Sequence, residues 1–202
     1  DGYDSVGVRL NFAGFEVLRG GSSADVFTLN GVRSYQLYGG AGADVFNFSD
    51  GATLAGRVEG GSDDDTLSFA LYNTARTVRL VAVGQIDGFN GLVSGISQGF
   101  ENMEIILGSH TGGDVLIGLE ADACWDVDGT NTYSAIQTID FSGTESNLGA
   151  RRQIAETSVT LVTADGSGLQ TLSFAGFETL QGGGMNDIFI LSGAQVVDLL
   201  GG

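Results

Sequence analysis

The sequence predicts an all-β solenoid, a parallel β-helix or β-roll-like stack with coils of about 20 residues, and three observations point there. One block recurs: an apolar residue, a spacer, two glycines, three variable residues, an aspartate, then apolar residues at alternate positions. Its copies start at Leu18, Leu37, Val58 and Leu180, and their aspartates are Asp25, Asp44, Asp65 and Asp187. The first three aspartates are 19 and 21 residues apart, a return length that belongs to stacked repeats. The chain also holds 34 glycines and no proline. Many turns are needed, while a residue that cannot donate to a hydrogen-bond ladder is excluded, as in strands bonded on both sides. Finally, the apolar residues after each aspartate have the period of a strand with one buried face.

Taken in order, the first three blocks predict three inward rows. Phe27, Phe46 and Leu67 form one, Leu29, Phe48 and Phe69 a second, and Leu18, Leu37 and Val58 a third on the opposite wall. Asn30-Gly31 and Asp50-Gly51 follow the strands where a reversal is due, so each coil has two turns. A longer period lies over the short one: Phe15-Glu16, Phe100-Glu101 and Phe177-Glu178 stand 85 and 77 residues apart. Each pair follows a looser β-rich stretch, namely 5–12, 77–83 with 91–96, and 158–174. Ser109 to Asp114 reads as a drifted copy of the block that has lost its leading glycines but keeps Leu107, Asp114 and Leu116 in register. Residues 119–157 are the least regular. The expected organisation is a single solenoid segment over 1–202, part of a longer repeat protein, with super-repeats of roughly 1–76, 77–157 and a truncated 158–202. At strand spacing this is a rod of roughly ten coils and roughly 50 Å.

Composition narrows the partners. The formal charge is −17, from 25 acidic and eight basic residues, and none of the basic ones is lysine. That balance excludes nucleic acid, attracts cations and keeps a protein soluble in saline media. With 42% hydrophobic residues and 12 phenylalanines the chain should fold. Cys124 is alone, so no intrachain disulfide is available. No apolar run reaches the roughly 18 residues of a membrane helix. Asp1 follows neither a methionine nor a signal-like segment, and with repeats cut at both ends the chain is expected to be a piece of something longer.

The corner carries the chemistry. Carboxylates stacked about 5 Å apart repel by roughly 0.8 kcal/mol in water and about 3 kcal/mol at an effective dielectric of 20, so a column of them favours a bound cation. The alternative is that each aspartate bonds the amides of its own turn and needs no metal. Gly39-Gly40-Ala41-Gly42-Ala43-Asp44-Val45-Phe46-Asn47 is a complete GGxGxDxUx nonapeptide. On it, the chain resembles RTX (hemolysin-type calcium-binding repeat) proteins and related giant β-helical, adhesin-like surface proteins. In that family the glycines permit positive φ and the aspartates of successive turns hold Ca2+ between them. The resemblance implies metal ligation at Asp44 and Asp65, then at Asp25 and Asp187, with Gly40, Gly42 and Asp63 at the same corner. Asp114-Val115-Leu116-Ile117-Gly118 is a further echo, and Thr138-Ile139-Asp140-Phe141-Ser142-Gly143 is similar to a phrase in the calcium-binding roll of serralysin-type proteases. The departures are that the motif comes once per coil and that its third glycine, kept at Gly42 and Gly112, is replaced by Ser23, Asp63 and Met185.

Other residues weigh less. His110 is the only histidine and reads as a turn residue; Cys124 beside Trp125 reads as a small buried apolar residue. Glu16, Glu101 and Glu178 recur and read as turn or rung residues. Asp122, Asp126 and Asp128 lack EF-hand spacing. Arg151-Arg152 reads as a solvated loop, with polyanion binding as its alternative. No catalytic constellation emerges, so the expectation is a non-enzymatic, extracellular structural or adhesive rod, filament or surface-layer component. Its partners would be copies or neighbouring repeats of itself, with cell-surface polysaccharide as a candidate ligand. The alternatives are a calcium-binding accessory module of a secreted hydrolase or toxin, and third a polysaccharide lyase- or epimerase-like β-helix enzyme.

Overall fold

The computed structural model describes residues 2–5, 8–127, 131–135, 138–140, 160–162, 171–185, 187–191 and 197–201. Among these the chain is all-β, with every regular element a strand. Short strands follow from the sequence: alternation over a few residues buries one face, and Gly-Gly, Asn-Gly or Asp-Gly then ends the run.

Two mixed sheets dominate. In the eight-stranded sheet Val26–Leu29, Val45–Ser49, Thr66–Leu71, Ile105–Leu107 and Thr171–Ala175 are parallel neighbours. Thr132–Ala135 then runs antiparallel between Thr171–Ala175 and Ala123–Val127, which pairs in parallel with Asp187–Leu191. In the eleven-stranded sheet Val17–Arg19, Gln36–Ala41, Val58–Ser62 and Ile96–Met103 are parallel. The hairpin of Thr77–Val83 and Phe89–Val93 is inserted beside them, and Val115–Ile117, Thr179–Gln181 and Asp198–Leu200 continue in parallel. Val32–Arg33 and Thr53–Leu54, parallel to each other, are the remaining two strands of this sheet and join it where Leu54 pairs with Ile96. Two small antiparallel pairs complete the description, Gly2–Ser5 with Val8–Asn11 and Thr138–Asp140 with Thr160–Val162.

Each Gly-Gly-Asp block carries the chain from the larger sheet to the smaller, so equivalent residues align. Phe27 pairs with Phe46, Phe46 with Leu67, Leu67 with Ile106 and Ile106 with Phe174. On the other wall Leu18, Leu37, Val58 and Phe100 align in turn. These are two of the three rows expected from the sequence, extended by two residues and by one; in the third, Leu29 aligns with Phe48, but the register shifts between Ser68 and Leu71, so Phe69 meets Phe48 through its ring and not as a paired strand neighbour. They lie in the core, where Phe46, Leu67, Ile106 and Val58, together with Phe69, have 0% exposure. Phe27 stacks on Phe46 with ring centroids 4.9 Å apart, and Phe48 meets Phe69 at 5.3 Å. Farther along, Trp125 packs on Tyr133, Phe174 and Phe189.

Two readings need correction. Ser109 to Asp114 is not a drifted copy of the Gly-Gly-Asp corner: it leads from Ile105–Leu107 in the smaller sheet to Val115–Ile117 in the larger, the opposite passage. Leu107 aligns with Ser68, and Leu116 with Val78 and Leu180. The place of a corner aspartate is already taken by Glu104, because Ile105 aligns with Thr66. The three Phe-Glu pairs are likewise not equivalent. Phe100 sits inside a wall row, whereas Phe15 and Phe177 lie three residues before the row positions Leu18 and Leu180. Arg151-Arg152, Asp128 and residues 141–143 of the serralysin-like phrase lie outside the described residues.

Candidate functional site

The Gly-Gly-Asp turns stack because the strands on both sides of them pair in register. Their second glycine makes the approach possible. Gly40 and Gly61 have φ of 119° and 124°, and a Cβ on either would collide with the carbonyl of the preceding turn. Ala41 N–H donates to Gly21 O at 3.1 Å, joining one turn to the next. At the third-glycine position Gly42 has φ +98°, and Asp63, its counterpart one turn on, keeps φ +80° despite its side chain.

The carboxylates then form a directional chain. Asp25 N–H donates to Asp44 Oδ1, Asp44 N–H to Asp65 Oδ1 and Asp65 N–H to Glu104 Oε2, each at 2.7 Å. Asp44 and Asp65 are fully buried and Glu104 is 9% exposed. Of these four carboxylates it is Asp25, at the start, that accepts from its own turn: Gly21 N–H reaches its Oδ2 at 2.7 Å. An outer line runs beside this chain, in which Asp63 Oδ2 accepts Gly42 N–H at 3.0 Å and Asp87 Oδ2 accepts Asp63 N–H at 3.2 Å.

The structure therefore brings together Asp25, Asp44, Asp65, Asp63, Gly40 and Gly42. It separates Asp187, whose strand pairs with Ala123–Val127 at the far end of the eight-stranded sheet and whose Oδ1 accepts Trp125 Nε1–H at 3.3 Å. Glu104 and Asp87 were not foreseen. A signal for Glu104 existed: Glu104-Ile105-Ile106 matches Asp44-Val45-Phe46 in chemistry, without the leading glycines.

The same device serves the opposite corner. Glu178 Oε2 accepts Gly113 N–H at 3.0 Å and Asp114 N–H at 2.9 Å, while Asp114, fully buried, accepts Arg76 N–H and the Ser109 hydroxyl. Glu178 is thus the rung residue expected of it. His110 lies in a turn with Nδ1 3.2 Å from Ala70 O, and Cys124 is buried.

Acidic groups accumulate at the first corner, and among the described residues the ion pairs formed by Arg57 and Arg79 go to Glu101 and Glu120 instead. Burial, with the neighbouring carboxylates of Asp44, Asp87 and Asp63 behind it, pushes Asp65 up to about 7. Burial pushes Glu104 up to about 8, with Asp87, Asp65 and Asp64 adding to it. Asp44 and Asp87 are raised mainly by burial as well. Four buried oxygens in this group have no hydrogen-bond donor: Asp44 Oδ2, Asp65 Oδ2, Asp87 Oδ1 and Glu104 Oε1.

Calcium asks for six to eight oxygens around one point. In Asp44 and Asp65, Oδ1 is committed to a backbone amide, and Oδ2 faces the first glycine of its own turn, where a Cβ on Gly39 or Gly60 would collide with it. Both side chains are fully buried. In this arrangement one oxygen of each inner carboxylate serves the backbone of the adjacent turn.

The fold and corner define a class: an all-β protein of two mixed sheets whose turns are tied by buried carboxylates. Searches of family models, curated proteins and solved structures found no significant match.

Proposed function

We propose that the chain is a segment of a parallel β-solenoid that works as a structural or adhesive rod outside the cell. The observation that carries this reading is the row Phe27, Phe46, Leu67, Ile106 and Phe174, in which each side chain aligns with its successor along the sheet. A core that grows by adding equivalent rungs extends in one direction and spans distance. The net charge of −17 supports a role in a solvent-exposed, saline setting. Neighbouring repeats or further copies of the chain are the partners that such rungs suit, since their edges carry unpaired backbone groups. A cell-surface polysaccharide is the candidate ligand of an adhesive version.

Negative-stain electron microscopy with small-angle scattering tests the reading. A rod of roughly 50 Å or a longer filament supports it; a compact particle with a near-spherical scattering profile overturns it. Immunogold labelling of intact producing cells tests the location, and label confined to the interior counts against it.

The second reading is a calcium-binding accessory module of a secreted hydrolase or toxin. The nonapeptide Gly39 to Asn47 favours it, while the amide contacts of Asp44 and Asp65 weigh against it. Folding that requires calcium in a circular dichroism titration would put it first.

A further inference from the structure

The chain carries one stretch twice. Leu10 to Leu29 and Leu172 to Leu191 are identical at twelve of twenty positions, including all of Phe12-Ala13-Gly14-Phe15-Glu16 and Phe174-Ala175-Gly176-Phe177-Glu178. The two stretches also fold alike. Gly14 and Gly176 have φ of +77° and +75°, and Phe12 meets Phe15 edge to face at 6.3 Å as Phe174 meets Phe177 at 6.4 Å. Tyr3 pairs with Leu10 across an antiparallel ladder, and Tyr133 pairs with Leu172 in the same way. Gln36 N–H donates to Glu16 O at 2.7 Å, and Asp198 N–H to Glu178 O at 2.8 Å.

The stretches differ on the side that faces a preceding coil. In the second, Ile105–Leu107 and Val115–Ile117 cover that side: Ile106 aligns with Phe174, and Leu116 with Leu180. Glu178 N–H and Thr179 N–H donate to Asp114 O at 3.1 and 3.0 Å, while the Glu178 carboxylate accepts the Gly113 and Asp114 amides. Leu172 and Leu180 are thereby left with 0% and 1% exposure. In the first stretch the same side is open among the described residues. Leu10, Phe15 and Val17 are 63%, 58% and 46% exposed, and Glu16 is exposed with no turn against it. Val17–Arg19 is also an end strand of the eleven-stranded sheet. An open backbone edge, an apolar face and an acidic hook therefore coincide.

The other end of that sheet supplies a match. Asp198–Leu200 is its opposite end strand, and the path between the two ends contains two antiparallel steps, so both end strands run in the same direction. Leu199 continues the inward row of Leu116 and Leu180, and Leu200 is 49% exposed. We propose that residues 10–19 form a docking face for a second copy of this chain, whose Asp198–Leu200 adds in parallel to Val17–Arg19 with Leu199 opposite Leu18. Val197 N–H of that copy, which precedes Asp198 as Asp114 precedes Val115, donates to Glu16 as Asp114 N–H does to Glu178. The contact joins unlike surfaces, so it does not close on itself and repeats into a filament. This deepens the rod reading and rests on it, because end-to-end addition lengthens a rod.

The test is sedimentation velocity at concentrations up to about 1 mM, where even a weak contact is populated, together with oxidation of a V17C/D198C double variant. These two positions lie at opposite ends of the sheet within one copy and face each other only across the docked strands, so a disulfide there links copies. Cys124, the native thiol, is buried. Mass should grow with concentration, and the double variant should give a ladder of covalent multimers. E16A, altered at an exposed residue, should weaken association about tenfold through the lost charge-assisted hydrogen bond. Constant monomer mass without a ladder overturns the docking face and leaves a rod-shaped scattering profile standing. Association unchanged in E16A, or V17C alone linking as readily as the double variant, also overturns it, the latter by showing head-to-head contact. A compact scattering particle would sink the rod reading instead, and the ladder would still judge the docking.

Discussion

The carboxylate of Asp65 accepts the backbone N–H of Asp44, 21 residues earlier in the chain, at 2.7 Å with both residues fully buried. A side chain here does what a strand neighbour does elsewhere. It satisfies a turn amide that the sheets cannot reach, and a buried amide left without a partner is costly.

Removing that acceptor should therefore hurt more than removing its charge. D65A is expected to lose about 1–3 kcal/mol in urea unfolding at pH 6, from the orphaned Asp44 amide. D65N keeps a carbonyl oxygen in place and should lose less than half as much. The pH dependence separates them further. Asp65 is raised to about 7, so the wild type loses stability as pH climbs from the ordinary carboxyl range to about 7 and levels off above it, and D65N should gain on it over that window. Equal losses in both variants would mean that the amide contact contributes nothing.

The first glycine of the turn should tolerate no side chain. A Cβ on Gly39 would collide with Asp44 Oδ2 and Gly60 O, whereas one on Gly21 finds only Asp25 Oδ2 at 3.9 Å. G39A is expected to destabilise by about 1–3 kcal/mol, the usual range for forced overpacking, and G21A by far less. Matched denaturation curves check this, and similar midpoints for the two variants would contradict the stacking.

Core truncation should depend on position along the row. Phe46 is fully buried between Phe27 and Leu67, and F46A is expected to cost about 3–5 kcal/mol. Phe27 lies in the last strand of the eight-stranded sheet and is only partly buried, so F27A should cost clearly less. The comparison needs only two urea melts.

At the opposite corner E178A should expose the Gly113 and Asp114 amides, both of which donate to Glu178 Oε2. Their hydrogen exchange should accelerate severalfold, and overall stability should fall by about 0.5–1.5 kcal/mol. E178Q retains an acceptor and should preserve most of the protection. Unchanged exchange at both amides in E178A would remove Glu178 from the rung.

Rows were legible in the sequence because two short-range signals coincide in them. Alternation decides which side chains face inward, and the 19- and 21-residue spacing decides which of them align. Neither signal reports a pairing made after the chain doubles back. Thr77–Val83 folds against Phe89–Val93 before Ile96–Met103 rejoins Val58–Ser62. That detour brings Glu104 to the corner and displaces Asp114 to the other one. Asp63 shows the limit in miniature: glycine is expected where φ is positive, yet stacking on Gly42 holds this aspartate at φ +80°.

The sequence by itself determined the strands, the inward rows and the stacking of three aspartates at one corner, since local periodicity and turn chemistry act over a few residues. Only the tertiary structure decided what those carboxylates touch. An aspartate in a glycine turn presents the same two oxygens to a cation and to an amide. Which it meets depends on how closely the next turn approaches, and that distance is set by the packing of the sheets on either side.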